Sequence, residues 1–178
     1  MVIPPKFAEL VKQSDYIVHA VVKSVTSEMF SNGAHRHIIT KVELDVREVI
    51  SGAPPQPLVL QMLGGKVGAE EMVVEGAPKF KVGDEDILFL HGNGRQLNPL
   101  VALMHGRYPI KREAGTGREY MTRSNGRPLT NEQEVVQPME GNATVPFTPN
   151  SALALSPADF TSRIKAAISQ NSGNKLAN

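Results

Sequence analysis

The sequence predicts a single domain with a mainly β fold: a five-stranded OB-like barrel with an N-terminal helix, an extra hairpin and a C-terminal helix. Apolar and polar residues alternate from Ile38 to Arg47, the period of a strand with one buried face. Other runs rich in β-branched residues are separated by turns that contain glycine. Closure of a small sheet removes its edges, and five strands of this kind therefore favour a barrel.

The barrel is predicted within residues 14–112, after a short amphipathic helix that carries Phe7, Leu10 and Val11. The sequence Asn32-Gly33 predicts a tight hairpin between the first two strands, because both residues accept the positive φ of such turns. The last strand is interrupted near Gly106, and the fourth is apolar enough to be covered on both faces. The five strands are predicted at 16–28, 38–47, 58–63, 87–90 and 100–110.

Two connecting segments follow the predicted barrel. Residues 113–130 predict a small exposed hairpin that turns at Asn125-Gly126. Residues 131–155 show no sustained period and many turn formers, so they predict an extended connection.

The C-terminal helix is predicted over residues 156–169. Ser156 is a good N-cap, and Pro157 suits the first helical position. The four-residue spacing of the apolar side chains predicts a buried stripe. We expect residues 170–178 to form a frayed tail. The stripe consists of Phe160, Ile164 and Ile168.

Composition excludes several functional classes. The 178 residues include no cysteine, which excludes disulfides, thiolate zinc sites and a cysteine nucleophile. A net charge of +1 gives no general attraction to nucleic acid or acidic membranes. No run approaches about 18 apolar residues, so no membrane span is predicted. No signal peptide follows Met1; the chain is therefore cytoplasmic if Met1 is native, or exported if a leader has been removed.

Residues 7–112 resemble a group of exported bacterial domains without assigned biochemistry. The resemblance rests on the strand SDYIVHAVVKSV and on GAPKFKVGDEDILFL, which matches the pattern F-x-x-G-[ED]-x-x-[IVL]-L-F-L. It implies that a leader once preceded the chain and that the protein is periplasmic or secreted. The strand order also resembles the netrin-like OB barrel of tissue inhibitors of metalloproteinases. Those inhibitors act through an N-terminal cysteine, which this chain lacks, so this resemblance implies only a fold.

The segment GGKVGAE, residues 64–70, resembles a phosphate-binding loop only superficially. A Walker A loop needs a serine or threonine after Gly-Lys, where this chain has Val67, and a glycine where it has Leu60. The glycine spacing also fails the dinucleotide pattern. The segment is therefore interpreted as a flexible loop, and no cofactor is predicted.

Metal binding and catalysis are both disfavoured. His35 and His37 would share one face of a strand, and His19 on the paired strand could approach them, which makes these three the metal candidates. Histidines at hairpin ends are more often simply exposed, and no acidic ligand completes a motif. The chain also has no G-x-S-x-G, and adjacent carboxylates in a strand point to opposite faces. We expect that it is not an enzyme.

A basic stretch with two tyrosines is the best candidate surface for an acidic partner. OB barrels bind single strands by stacking bases on aromatic rings within a basic groove. The sequence predicts a non-catalytic binding or accessory module of unknown ligand, with an unknown protein or a polyanion as partner and its oligomeric state open. A nucleic-acid or polyanion-binding domain using residues 107–127 is the alternative, and a metal-binding protein or enzyme comes third. The candidate ligand-binding residues are Arg107, Tyr108, Lys111, Arg112, Tyr120 and Arg123, with Arg118 and Arg127 in the same stretch.

Overall fold

The computed structural model describes residues 3–139 and 151–176. Its described part is mainly β, with one six-stranded antiparallel sheet, a separate two-stranded hairpin and two α-helices. The predicted mainly β class and both predicted helices are therefore confirmed. The elements are α1 Phe7–Gln13, β1 Tyr16–Asn32, β2 His35–Ser51, β3 Leu58–Leu63, β4 Gly65–Val67, β5 Glu70–Met72, β6 Glu85–Leu90, β7 Arg107–Arg112, β8 Glu119–Met121 and α2 Pro157–Leu176. The strand order in the large sheet is β3-β2-β1-β6-β7-β8, and β4 pairs with β5 in the small hairpin.

The longest strands are β1 and β2, which form one hairpin of 17 residues on each side. Their pairing runs from Ile17 opposite Ser51 to Asn32 opposite His35, and Gly33 takes a φ of 63° in the turn. The predicted Asn-Gly hairpin is thus confirmed. Three register shifts interrupt the pairing near the start of β1. Because such irregularities bend a strand and increase its twist, they curl the sheet around one of its faces.

The sheet buries both faces. One face packs under α1 and α2 and forms what we call the helix-side core. The other, concave face forms a second core, here the concave core. Strand β6 supplies both, because its side chains alternate and all but the first are buried, as its sequence predicts. The helix-side core includes Leu10, Ile17, Phe89, Tyr108, Phe160 and Ile164, and the concave core includes Val18, Val42, Leu60, Phe80 and Leu88.

The sheet does not close into the predicted five-stranded barrel. Its sixth strand, β8, adds beside β7 at the edge farthest from β3, so β3 and β8 do not meet. A connecting loop closes part of the gap between β3 and β6. Asn98 bonds to β3, and Leu100 bridges to Leu90 at the end of β6.

The fifth predicted strand starts later than residue 100. Leu100 and Val101 fold back on β6, where the Val101 N–H donates to the carbonyl of Phe89 at 3.0 Å. A 3₁₀ helix, Leu103–Gly106, follows, and β7 begins only at Arg107. Gly106 lies so close to this turn that an added Cβ would be 2.5 Å from the carbonyl oxygen of Val101. This close backbone packing replaces the first half of the predicted strand.

The segment predicted as an exposed hairpin, 113–130, is instead the edge of the main sheet. Strand β8 pairs with β7, with Met121 opposite Ile110. Met121 and Leu129 are fully buried in the helix-side core, since the segment lies beneath the C-terminal helix region. The predicted extended connection contains a 3₁₀ helix, Glu132–Val136, and its residues 140–150 lie outside the described residues.

The C-terminal helix α2 begins as predicted but ends later. The hydroxyl of Ser156 accepts the Asp159 N–H at 3.1 Å, which confirms the N-cap, and the predicted apolar stripe packs in the helix-side core. The helix continues to Leu176, where a frayed tail was expected from 170. Packing on α1 supports the extra turns, since the Asn171 side chain donates to the Ala8 carbonyl at 3.3 Å. Neither described α-helix is long and apolar enough to cross a membrane.

Candidate functional site: a cavity beneath the small hairpin

A cavity of about 210 Å³ lies between the β4–β5 hairpin and the adjoining part of the large sheet. Its floor comes from β1, β2 and β3, and its other wall comes from β5 and the chain that follows it. The lining is mostly apolar and continues from the concave core. The lining residues are Val25, Ser27, Thr40, Val42, Met62, Leu63, Gly64, Gly65, Lys66, Glu71, Met72, Val73, Val74, Ala77, Pro78, Lys79 and Phe80.

Two glycines let the hairpin sit directly on the sheet. The Gly64 N–H donates to the carbonyl of Ile38 at 2.8 Å, which fixes the start of the hairpin against β2. Gly65 has a φ of 139°, and a Cβ there would lie 2.3 Å from the Thr40 hydroxyl. Only glycine combines this backbone with this contact. The segment GGKVGAE therefore belongs to a hairpin that packs directly on the large sheet, and it is not the flexible loop that its composition predicted.

A short chain of hydroxyl groups provides the polar part of the cavity. The Thr40 hydroxyl donates to the Gly64 carbonyl at 2.6 Å, so it must accept from the Ser27 hydroxyl, 2.8 Å away. The lone pairs of the Ser27 oxygen can then accept a further hydrogen bond. Lys66, Glu71 and Lys79 are exposed and complete the lining.

Arg107 was predicted to contact a ligand, but it is buried in a structural network. Its Nε donates to Asp86 Oδ1 at 3.0 Å and its Nη2 donates to Asp84 Oδ2 at 2.9 Å. Its Nη1 donates to the carbonyl of Lys79 at 2.9 Å, and the Phe80 ring centre lies 4.4 Å from the guanidinium carbon. Burial raises the pKa of Asp86, and the charge of Arg107 opposes that shift. Arg107 therefore joins the loop before β6 to the sheet.

Three more predicted ligand residues are also buried. Tyr108 packs on the rings of Phe89 and Phe160, and Tyr120 is buried on β8. Arg123 donates through Nη2 to the carbonyls of Val135 and Gln137, at 3.2 and 2.6 Å. Burial lowers the pKa of Arg123 and raises that of Tyr108. Base stacking needs an exposed aromatic face, so neither tyrosine can provide it.

The remaining basic residues do not form the predicted surface. Lys111 and Arg112 are exposed, and Arg112 pairs with Glu119 at 3.0 Å. Arg118 instead donates to the carbonyls of Ser151 and Ala154, at 2.9 and 2.6 Å. The basic stretch of 107–127 is thus divided between the interior and separate surface positions. Sequence proximity could not show this, because burial depends on the pairing of β7 with β6 and β8.

The three candidate metal ligands are not brought together. His19 bonds to Glu85 Oε1 at 2.7 Å near the start of β1, whereas His35 and His37 lie at the far end of the hairpin. His37 stacks on Phe30, with ring centres 5.9 Å apart. Within residues 3–139 and 151–176, no group of three or more histidine and carboxylate side chains could hold a metal ion.

His105 is buried beside Arg123. Its Nδ1 lies 3.5 Å from Arg123 Nη2, and it must be the acceptor because a guanidinium only donates. Burial, and then the charge of Arg123, lower the pKa of His105. An imidazole whose Nδ1 accepts this hydrogen bond is neutral.

The cavity is not apparent from the sequence, although the sequence contains one signal for it. A Gly-Gly pair directly after a buried strand indicates a close approach between backbone and neighbouring atoms. It does not identify those atoms, which belong to a strand about 25 residues earlier in this chain.

Comparisons with protein-family models, curated proteins and solved structures find no match to this chain.

Proposed function

We propose that this protein is a non-catalytic binding module whose ligand is a compact apolar molecule held in the cavity beneath the β4–β5 hairpin. The observation that carries this proposal is the cavity itself, about 210 Å³ and lined mainly by aliphatic, methionine and phenylalanine side chains. Concave, mostly apolar sites with a few polar groups are the usual form of small-molecule sites.

The cavity volume and its single polar spot limit the class of ligand. An apolar protein cavity of roughly 150 Å³ holds benzene, so this larger cavity suits a bicyclic ring of indole size. The Ser27 hydroxyl donates its hydrogen bond to Thr40, so its lone pairs can accept a hydrogen bond from a ligand. A ring with one N–H or O–H group would therefore satisfy it better than a pure hydrocarbon.

The wider proposal concerns fold and location. We propose that the curled sheet is an incomplete OB-like barrel, in which the loop at Asn98 takes the place of a strand along the edge of β3 that does not pair with β2. The resemblance of residues 7–112 to exported bacterial domains supports a periplasmic or secreted location. That resemblance includes Phe80, Gly83 and Asp84, and the first and last of these contact Arg107.

The distribution of perturbed groups supports a non-catalytic role. Active sites concentrate ionisable groups with shifted pKa values around the substrate. Seven of the described groups have shifted pKa values, and none of them lines the cavity. They are Tyr16, Asp86, His105, Tyr108, Glu113, Arg123 and Glu132.

Ligand-observed NMR with indole tests the cavity. We expect weak saturable binding to the full chain, with a dissociation constant on the order of 1 mM for so few ligand atoms. Ala77→Phe, which fills the cavity from its wall, should abolish the signal. Ala114→Phe is the matched control, because Ala114 is exposed in the turn before β8 and should leave binding unchanged.

Two results would contradict the proposal. The first is a folded wild-type chain that shows no saturable binding of indole. The second is equal binding by the wild type and Ala77→Phe. Salt-dependent binding of an oligonucleotide would instead favour the polyanion-binding alternative, because phosphate contacts release counterions.

A further inference from the structure

Tyr108 lies in the helix-side core, and Arg123 lies close enough for the two groups to interact electrostatically. The pairing of Ile110 with Met121 continues through the Thr122 N–H, which donates to the Pro109 carbonyl at 2.9 Å. The next positions along these two neighbouring segments of the chain are Tyr108 and Arg123. Side chains two residues apart in extended chain share a face, so these two lie on the same face as Ile110 and Met121.

Each of the two side chains leaves one buried polar atom unused. Tyr108 is 1% exposed and Arg123 is 4% exposed. The Tyr108 hydroxyl and the Arg123 Nε are both buried, and neither has a hydrogen-bond partner in the described part of the chain. An unmade buried hydrogen bond costs about 1–3 kcal/mol, and an unpaired buried charge costs more. Two unused donors on one face therefore indicate a missing acceptor.

The Arg123 charge also lacks a bonded carboxylate among the described residues. Its guanidinium contacts two backbone carbonyls and the neutral ring of His105. Glu134 is the acidic residue whose charge acts on Arg123, but its carboxylate bonds to Thr130 and Asn131. The missing acceptor should therefore be negatively charged.

We propose that Arg123 and Tyr108 form a buried site for a small monovalent anion of chloride size. The anion accepts one hydrogen bond from Arg123 Nε and one from the Tyr108 hydroxyl, and it neutralises the guanidinium. A water molecule could accept the same hydrogen bonds but would leave the charge uncompensated. The site is independent of the cavity beneath the β4–β5 hairpin, since neither residue lines that cavity.

The test is chemical denaturation of the full chain at constant ionic strength, with chloride replacing the bulky anion gluconate. An anion that binds only the folded state lowers the unfolding equilibrium constant by the factor 1 + [anion]/Kd, about tenfold when chloride is ten times Kd. Tyr108→Phe removes the hydroxyl and keeps the ring, so it should reduce this chloride effect. Tyr120→Phe is the matched control on the neighbouring strand and should retain the full effect.

Bromide gives a direct second measurement on the wild type. Crystals soaked in bromide should show anomalous scattering next to Arg123 Nε and the Tyr108 hydroxyl. The proposal is overturned if the wild type unfolds equally in chloride and gluconate, or if Tyr108→Phe keeps the whole chloride effect. A water molecule or a carboxylate of the chain at that point in the crystal would also overturn it.

Discussion

Arg107 Nε donates to Asp86 Oδ1 at 3.0 Å, and this ion pair lies almost wholly inside the protein, with Asp86 1% exposed. The second oxygen of Asp86 is buried without a hydrogen-bond partner in the described residues. The carboxylate therefore depends on Arg107 for its stability. The same arginine donates to Asp84 and to the Lys79 carbonyl, so it also fixes the contact between β7 and the loop before β6.

We predict that Arg107→Ala lowers the free energy of unfolding by about 3–5 kcal/mol, because it leaves the Asp86 charge buried and unpaired. The double variant Asp86→Leu, Arg107→Met should lose less, since it removes both charges and keeps apolar volume. Arg112→Ala breaks an exposed ion pair with Glu119 and should cost no more than about 1 kcal/mol. Urea denaturation of the three variants measures these differences. A double variant less stable than Arg107→Ala would contradict the prediction.

We predict that replacing Gly65 by alanine destabilises the β4–β5 hairpin selectively, because Gly65 packs directly on the sheet. In Gly65→Ala the new Cβ would lie 2.3 Å from Thr40 Oγ1 and 2.7 Å from Ser27 Oγ, so the hairpin must move away from the sheet. We expect a loss of about 1–3 kcal/mol and faster amide exchange in β4 and β5. In Gly68→Ala the new Cβ would have no atom within 4 Å beyond its chain neighbours, so at a φ of 59° this variant should show only the backbone strain of about 1–2 kcal/mol. Equal exchange rates in the two variants would count against the prediction.

Because of the buried His105, we expect the free energy of unfolding to fall in mild acid. The unfolded chain has a histidine pKa of about 6.5, and burial beside Arg123 lowers the pKa of His105 in the folded state. The unfolded state therefore binds the proton first. The contribution of His105 to stability is complete above about pH 6.5 and declines as the pH falls towards the lower folded pKa.

Urea denaturation across pH 7.5 to 5 checks this dependence. His105→Gln should flatten the decline relative to the wild type, because the variant has no group that titrates at this position. His35→Gln is the control, since His35 is exposed at the end of the β1–β2 hairpin, and its profile should match that of the wild type. An unchanged profile in His105→Gln would refute the assignment.

Asn98 stabilises the edge of β3 that does not pair with β2. Its N–H donates to the Gln61 carbonyl at 2.8 Å, and its side-chain oxygen accepts the Leu63 N–H at 2.9 Å. Its φ of 57° is one that asparagine and aspartate tolerate better than other side chains. We expect Asn98→Ala to cost about 1–3 kcal/mol, from the lost hydrogen bond and the added strain.

The variant Asn98→Asp tests whether the hydrogen bond to Leu63 and the backbone conformation explain the effect of Asn98→Ala. It keeps an oxygen that can accept the Leu63 N–H and tolerates the same backbone, so its free energy of unfolding should stay close to that of the wild type. Thermal or urea denaturation separates the two variants. The interpretation fails if Asn98→Asp is as unstable as Asn98→Ala.

The sequence by itself determined the features that depend on neighbours along the chain. The alternation in β2, the turn at Gly33 and the N-cap at Ser156 each follow from residues a few positions apart. The apolar run in β6 also indicated burial on both faces. In each case the local pattern already contains both partners of the interaction.

Only the tertiary structure decided which side chains meet across long separations. Arg107 meets Asp86, Asn98 meets β3, and Gly65 meets Thr40 because of strand order and register, which no local pattern specifies. The same pairing buries Tyr108 and Arg123, which in sequence look like an exposed basic stretch. A charged residue in a strand is exposed or buried according to what packs on its face. The cavity and the buried cation therefore belong to the assembled sheet.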